Sequence, residues 1–213
     1  MENFGVREKK AALLRVSILE EMLRLLQTKS INDLTLEELC SNINTTKVTF
    51  FKNFSYKEQV LDYFICKWLY DRSFDIHHKK YQGEAGLYKV FQSICDDTVP
   101  GKKIMISLIQ YYSKLTEKPP AIEPSPYEYY LFNKEAFDQK VEPLSLQQVF
   151  MYHLSEIKTI HPSQYNEFVS QLFALMYGVP IQTHIMELDD MYPFYEAGIK
   201  RIVGEQCPPV TPL

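Results

Sequence analysis

The residues with the clearest capacity for chemistry lie between Thr35 and Lys57. Thr35, Thr45, Thr46 and Thr49 offer hydroxyls, Lys47, Lys52 and Lys57 offer ammonium groups, and Asn53 offers an amide. Hydroxyls and ammonium groups at this density suit phosphate oxygens, and a side chain at the start of a short helix can reach base edges in a duplex groove. On that reading Lys47, with Thr45 and Val48 beside it, meets base edges. Thr35, Thr46, Thr49 and Lys52 meet phosphates, with Asn53 next to them. Lys57 stands near the start of a following helix, where free backbone amides already favour an anion. Arg7, Lys9 and Lys10 supply a basic arm for the backbone or minor groove.

No other constellation competes with this one. His77 and His78 are adjacent, so their rings leave a helix in different directions and make a poor ligand pair. His153 and His184 stand alone and read as core or surface residues. Cys40, Cys66, Cys95 and Cys207 have neither zinc-ribbon nor redox spacing, and the first three read as small buried apolar residues. No Gly-rich phosphate loop, nucleophile elbow or paired carboxylate is present. No catalytic residue, metal or cofactor is expected.

Positioning the Thr and Lys residues requires short helices in the right order. Ala11, Leu14, Ile18, Met22 and Leu25 recur at helical spacing within a Pro-free segment from Arg7 to Lys29. Thr35 followed by Glu38 predicts a capping box that opens a second helix, flanked by Leu34 and Leu39 as a hydrophobic staple. Polar turn formers from Asn42 to Thr46 then break it. Asn44 is the candidate for a left-handed conformation, because Asn tolerates positive φ. Thr46 caps a third short helix, and Leu39, Ile43, Phe50 and Phe54 face the core. Ser55 and Glu58 predict another capping box, opening a fourth helix that runs to about His77. Two short capped helices joined by a tight turn form a helix-turn-helix, the arrangement that lays its second helix in the DNA major groove.

These segments resemble the TetR-type bacterial transcription regulators. The matching residues are Thr35 to Cys40, then Ile43-Asn44-Thr45-Thr46, then Phe50-Phe51-Lys52-Asn53-Phe54, and then Tyr56-Lys57-Glu58-Gln59-Val60-Leu61. They cover about the first third of the chain in one register. Asn44 stands where the family has a turn Gly. Phe51 replaces a Tyr, removing a phenol-to-phosphate hydrogen bond. Asn53 replaces a His, and Val48 replaces a small residue, so base preference should differ from the best-known members. The resemblance implies an N-terminal three-helix DNA-binding domain, residues 1–58, and a C-terminal helical domain, residues 59–213, that binds a small molecule and dimerises.

The rest of the chain fits that outline. Helical segments are expected over 85–98, 102–115, 127–138, 144–160, 163–187 and 190–203, with Pro-rich residues 119–126 as an irregular break. No strand alternates, so the fold class is all-α. Aromatic residues cluster, and Tyr111, Tyr112, Tyr130, Tyr152, Phe173 and Tyr177 are candidates for a cavity that takes an apolar or aromatic effector. Phe168, Leu172, Leu175 and Val179 form one stripe; Tyr195, Ile199 and Ile202 form another. Both could pair with two-fold mates into a four-helix homodimer interface. Periodicity alone equally allows them to pack inside one subunit. Gly178 and Pro180 predict a kink in that helix.

Charge sets limits. The chain carries 23 Lys/Arg against 27 Asp/Glu, so it is no general polycation, and any nucleic-acid surface must be local. Residues 1–60 hold 9 basic against 8 acidic residues, whereas the remainder holds 14 against 19. No stretch reads as a signal peptide or a membrane span, so a cytoplasmic protein with no membrane partner is expected. The sequence therefore reads as a ligand-responsive regulator, a repressor released from double-stranded operator DNA by a small molecule. Two alternatives stay open: a TetR-like dimer without specific DNA binding that acts as a protein-interaction module, and a helical enzyme.

Overall fold

The computed structural model describes residues 4–95, 100–117 and 121–204, and every regular element in them is a helix. In chain order these are α1 (Val6–Leu26), α2 (Leu36–Asn42), α3 (Lys47–Phe51), α4 (Gln59–His77), α5 (Gly83–Gln92), α6 (Gly101–Tyr112), α7 (Pro126–Phe132), α8 (Lys134–Asp138), α9 (Leu146–Ser155), α10 (Tyr165–Ile185) and α11 (Tyr192–Gly204). A single 3₁₀ turn at Pro162–Gln164 leads into α10. Cys207 lies outside the described residues. None of the described helices is long and apolar enough to cross a membrane.

The N-terminal elements form for the local reasons the sequence offers. The Thr35 hydroxyl accepts the amide of Glu38, and that of Thr46 accepts the amide of Thr49, so both short helices begin at side-chain caps. Asn44 takes φ 51°, the left-handed conformation that turns the chain between them. Ile18, Leu19, Met22, Leu34, Leu39, Phe50 and Phe54 are buried together beneath this unit. Ile43 is only half-buried, and on α1 it is Ala12, not Ala11, that turns inward. The Glu38 side chain does not close the expected capping box, because its carboxylate pairs with Lys29 instead.

The Ser55–Glu58 capping box does not form. Residues 55–58 make a turn in which the Ser55 amide donates to Gln59 Oε1 at 2.7 Å, and α4 starts at Gln59 without a side-chain cap. Farther on, the segment expected as one helix over 127–138 breaks at Asn133. That residue leaves helical geometry at φ −155° and uses its side-chain oxygen to cap α8 through the Ala136 amide. Pro126 belongs to a helix after all: it occupies the first position of α7, where its missing N–H costs nothing, and Ser125 with Glu128 closes a full capping box.

Pro180 sits inside α10 and withholds the amide that Met176 would otherwise receive. The freed Met176 carbonyl accepts the buried Tyr195 hydroxyl of α11 at 3.0 Å. A break in one helix is thus repaired by the next, and the repair fixes how α10 and α11 sit together. Helices α5, α9, α10 and α11 pack as a bundle, and α4 spans from the N-terminal unit to α9. Although α4 begins at the expected boundary after residue 58, one core runs without interruption from Ile18 to Val203.

Candidate nucleic-acid interface and adjoining cavity

Helix α3 stands at the surface with its outward residues bare. Val48 is 68% exposed and Phe51 51% exposed, while Phe50 behind them is fully buried. The edge-on contact of Phe50 with Phe51 and the tilted contact of Phe50 with Phe54 hold the helix on its core. Lys47, Lys52, Thr46 and Thr35 share this exposure, and Thr45, Thr49 and Asn53 are half-buried at its margin.

Hydrogen bonding divides these residues more sharply than their types do. The hydroxyls of Thr46 and Thr49 lie 2.9 Å apart, so one donates to the other and a single proton remains for an outside acceptor. Asn53 donates its amide to the Thr49 carbonyl at 2.8 Å and so finishes α3. Lys47 forms an ion pair with Glu37 of α2. Both partners are largely in solvent, so the pair is worth roughly 0 to 1 kcal/mol and a phosphate or base edge can compete for the ammonium. Lys52 has no ion pair among the described residues. Lys57 departs from the sequence expectation: its ammonium donates to the carbonyls of Ile31 and Leu34 at 2.6 and 2.9 Å. Two backbone acceptors hold it against the loop that precedes α2, so two of its three donors clamp that loop.

Beneath this unit, Glu128 of α7 gathers partners from three segments. Tyr63 of α4 donates to it at 2.6 Å, the Ser125 amide at 2.7 Å, and Arg15 of α1 lies 3.1 Å away. The Arg15 guanidinium also covers the Tyr63 ring at 4.5 Å and the Phe54 ring at 5.2 Å. Burial and the Glu128 carboxylate push the Tyr63 phenol far above its usual range. This network ties α1, on which α2 and α3 rest, to the body of the protein. Neither Arg15 nor Glu128 stood out in the sequence, because their pairing spans 113 positions.

A cavity of about 60 Å³ lies between α4, α6 and α10, walled by Phe64, Ile65, Trp68, Met105, Tyr112 and Tyr177 among others. At its edge α6 begins hard against Ile94: a β-carbon at Gly101 would lie 1.7 Å from the Ile94 carbonyl oxygen, so only glycine fits. Of the six aromatic residues expected to line such a cavity, Tyr112 and Tyr177 do so. Tyr111 turns away and donates to Tyr56 at 2.7 Å. Tyr130 stacks with Tyr127 on α7, Tyr152 reaches Gln82 near the surface, and Phe173 packs edge-on against Phe150 in the core. Helical spacing places aromatics on faces, yet it cannot say which faces of distant helices meet.

The expected dimer stripes are corrected in the same way. Leu172, Tyr195 and Ile199 have no exposed surface, and Phe168 and Val179 have almost none. Leu175 fills the notch at Gly198, and Ile202 packs on the core. Leu172, Tyr195 and Ile199 join α10 to α11 and α5 within one chain, while Leu175 and Ile202 stay half-buried.

Buried and half-buried ionisable groups complete the electrostatics. Asp62 of α4 accepts the Tyr112 hydroxyl at 2.6 Å on Oδ1, while its buried Oδ2 has no hydrogen-bond partner. Desolvation holds its carboxyl above the usual carboxylate range, against the opposing pull of the Tyr112 and Tyr111 hydroxyls. His153 of α9 is buried against Gly86, its Nδ1 lacks a partner, and desolvation lowers it to about 4. Burial raises the thiols of Cys66 to about 11 and Cys95 to about 12. Cys40 is buried, whereas Cys66 and Cys95 are half-buried, less enclosed than their reading as core residues required. Among the described residues no group of three His, Cys, Asp or Glu side chains could hold a metal ion. No family model matches the chain, and no curated protein is significantly similar to it.

Proposed function

We propose that the protein is a DNA-binding transcription regulator of TetR-like design, a repressor whose grip on operator DNA responds to a small molecule in the cavity beneath the reading unit. The observation that carries the reading is α3: a Thr-capped helix on a buried Phe50, presenting Val48, Phe51, Lys47 and Lys52 to solvent directly after a left-handed turn at Asn44. A helix so mounted fits the major groove, with Lys47 and Val48 toward base edges and Thr46 and Lys52 toward phosphates.

Reading two half-sites requires two copies. The face of α10 left open to a second chain carries Ser170, Ala174, Gly178, Ile181 and Ile185, all exposed, with Ile185 74% exposed. The homodimer therefore pairs through the side of α10 opposite the stripe that the core absorbs. Gel shifts with random duplex and with selected fragments over a salt series test the regulator reading. Sequence-selective retention at physiological salt supports it, and retention equal for all duplexes counts against it.

A second reading has its own support. Val48 and Phe51 give α3 an apolar exposed face while Lys47 is paired to Glu37, a surface that also suits a protein partner. Loss of all duplex binding with retention of dimerisation would favour that module.

A further inference from the structure

Two carboxylates lie on the path between the reading unit and the body, Glu128 buried and Asp62 half-buried with its Oδ2 enclosed, and their surroundings differ. Glu128 has a cation, a phenol and a backbone amide, so its charge is compensated. Asp62 has only neutral hydroxyls: Tyr112 bonded to one oxygen, Tyr111 nearby, and nothing on the other. No Lys, Arg or His forms an ion pair with it among the described residues. A carboxylate taken out of water without a counter-charge is costly, and a polar group left so in a folded interior calls for a reason.

The adjoining cavity supplies one. Tyr112 is both a wall of the cavity and the hydrogen-bond donor to Asp62, so the carboxylate lies directly behind that wall. The remaining lining is aromatic and aliphatic. Its one small polar residue, Ser93, already accepts from the Trp68 indole and donates to the Val90 carbonyl. No Lys, Arg or His lines the cavity, so nothing there would receive an anion. Phe64, Trp68, Tyr112 and Tyr177 offer ring faces that attract a cation. Met105 and Met176 form adaptable walls, through which a small cavity can enlarge.

We propose that the effector is an apolar organic cation, an aryl- or alkyl-substituted amine or quaternary ammonium, with Asp62 as its counter-ion and Tyr112 as the side chain it displaces. The proposal rests on the regulator reading only in calling the ligand an effector; the charge preference of the cavity stands apart from DNA binding. Asp62 does not itself line the cavity but stands behind Tyr112, and it is the specificity-determining residue because no charged side chain is in the wall. Tyr112 adjoins Tyr111, whose hydroxyl bonds to Tyr56 just after α3, so displacement of Tyr112 acts on the last turn of α6 where it touches the reading unit.

Trp68 is the only tryptophan of the chain and stands in the cavity wall, which makes its emission a direct readout. Wild-type protein is titrated with benzyltrimethylammonium, uncharged benzyl alcohol and anionic phenylacetate, and the Asp62→Asn variant is titrated in parallel. The expected result is an affinity order of cation, neutral, anion, with the cation-to-neutral ratio falling roughly 10- to 100-fold in Asp62→Asn. The wild-type series stands without the variant, should that fail to fold. Equal or tighter binding of phenylacetate, no saturable response to the cation, or an unchanged ratio in folded Asp62→Asn would overturn the proposal. A parallel gel shift separates the two ideas: charge selectivity without duplex binding removes the regulator reading alone, and duplex binding without charge selectivity removes this inference alone.

Discussion

His153 makes the stability of this protein depend on pH in a calculable way. Its ring is buried against Gly86, where a β-carbon would lie 2.1 Å from Nδ1, and desolvation lowers its folded pKa from 6.5 to about 4. The unfolded chain therefore binds a proton between those values that the folded chain refuses, and stability rises with pH across that window. The contribution is complete above the unfolded value and is lost as pH falls toward the folded one. With about 1.36 kcal/mol per unit, the two pKa values give a loss of about 2 kcal/mol between pH 7 and pH 5. Asp62, raised by burial, titrates in the opposite sense, so wild type must be compared with His153→Gln and not judged alone. Urea unfolding at pH 5, 6, 7 and 8 should show wild type losing about 2 kcal/mol more than His153→Gln over the same interval. Parallel pH profiles for the two proteins would refute the claim that this imidazole is held neutral by the α5–α9 contact.

Three further outcomes follow from hydrogen bonds and an ion pair already described. Tyr195→Phe removes the donor that satisfies the Met176 carbonyl freed by Pro180, and thermal or urea unfolding should show a loss of about 1 to 3 kcal/mol; a change within error would mean that carbonyl finds another partner. Glu37→Gln releases Lys47 and should tighten duplex binding a fewfold at low salt, whereas Lys57→Ala should lower the unfolding midpoint and leave the salt slope unchanged, because Lys57 holds the Ile31 and Leu34 carbonyls. A slope reduced by about one unit in Lys57→Ala would restore that residue to the phosphate contacts.

What could be read in the sequence was what the chain decides within a few residues. The caps at Thr35 and Thr46 and the turn at Asn44 involve partners three or four positions away, so residue type and spacing suffice to place α2 and α3. The Lys57 clamp was not legible because its partners lie 23 and 26 positions back in a loop with no sequence signal. The Ser55–Glu58 box failed for a related reason: the same turn carries Tyr56 to Tyr111 and Lys57 to its carbonyls, and those tertiary bonds override a local cap. On α10 the apolar stripe was visible, yet its partner was not, since periodicity gives a face and not what covers it. Asp62 escaped notice because an isolated acid in a helix looks like solvent-facing polarity. Only the approach of Tyr112, 50 positions away, shows it half-buried with one oxygen enclosed.

The central claim is that α3 is a reading head for duplex DNA. Selection of bound fragments from the source genome, followed by footprinting with wild type and Lys47→Ala, tests it most directly. The expected footprint is two protected half-sites centred about one helical turn apart, roughly 34 to 36 Å, with Lys47→Ala weakening binding and blurring base preference within each. Recovery of no enriched sequence, or protection that Lys47→Ala leaves unaltered, would contradict it.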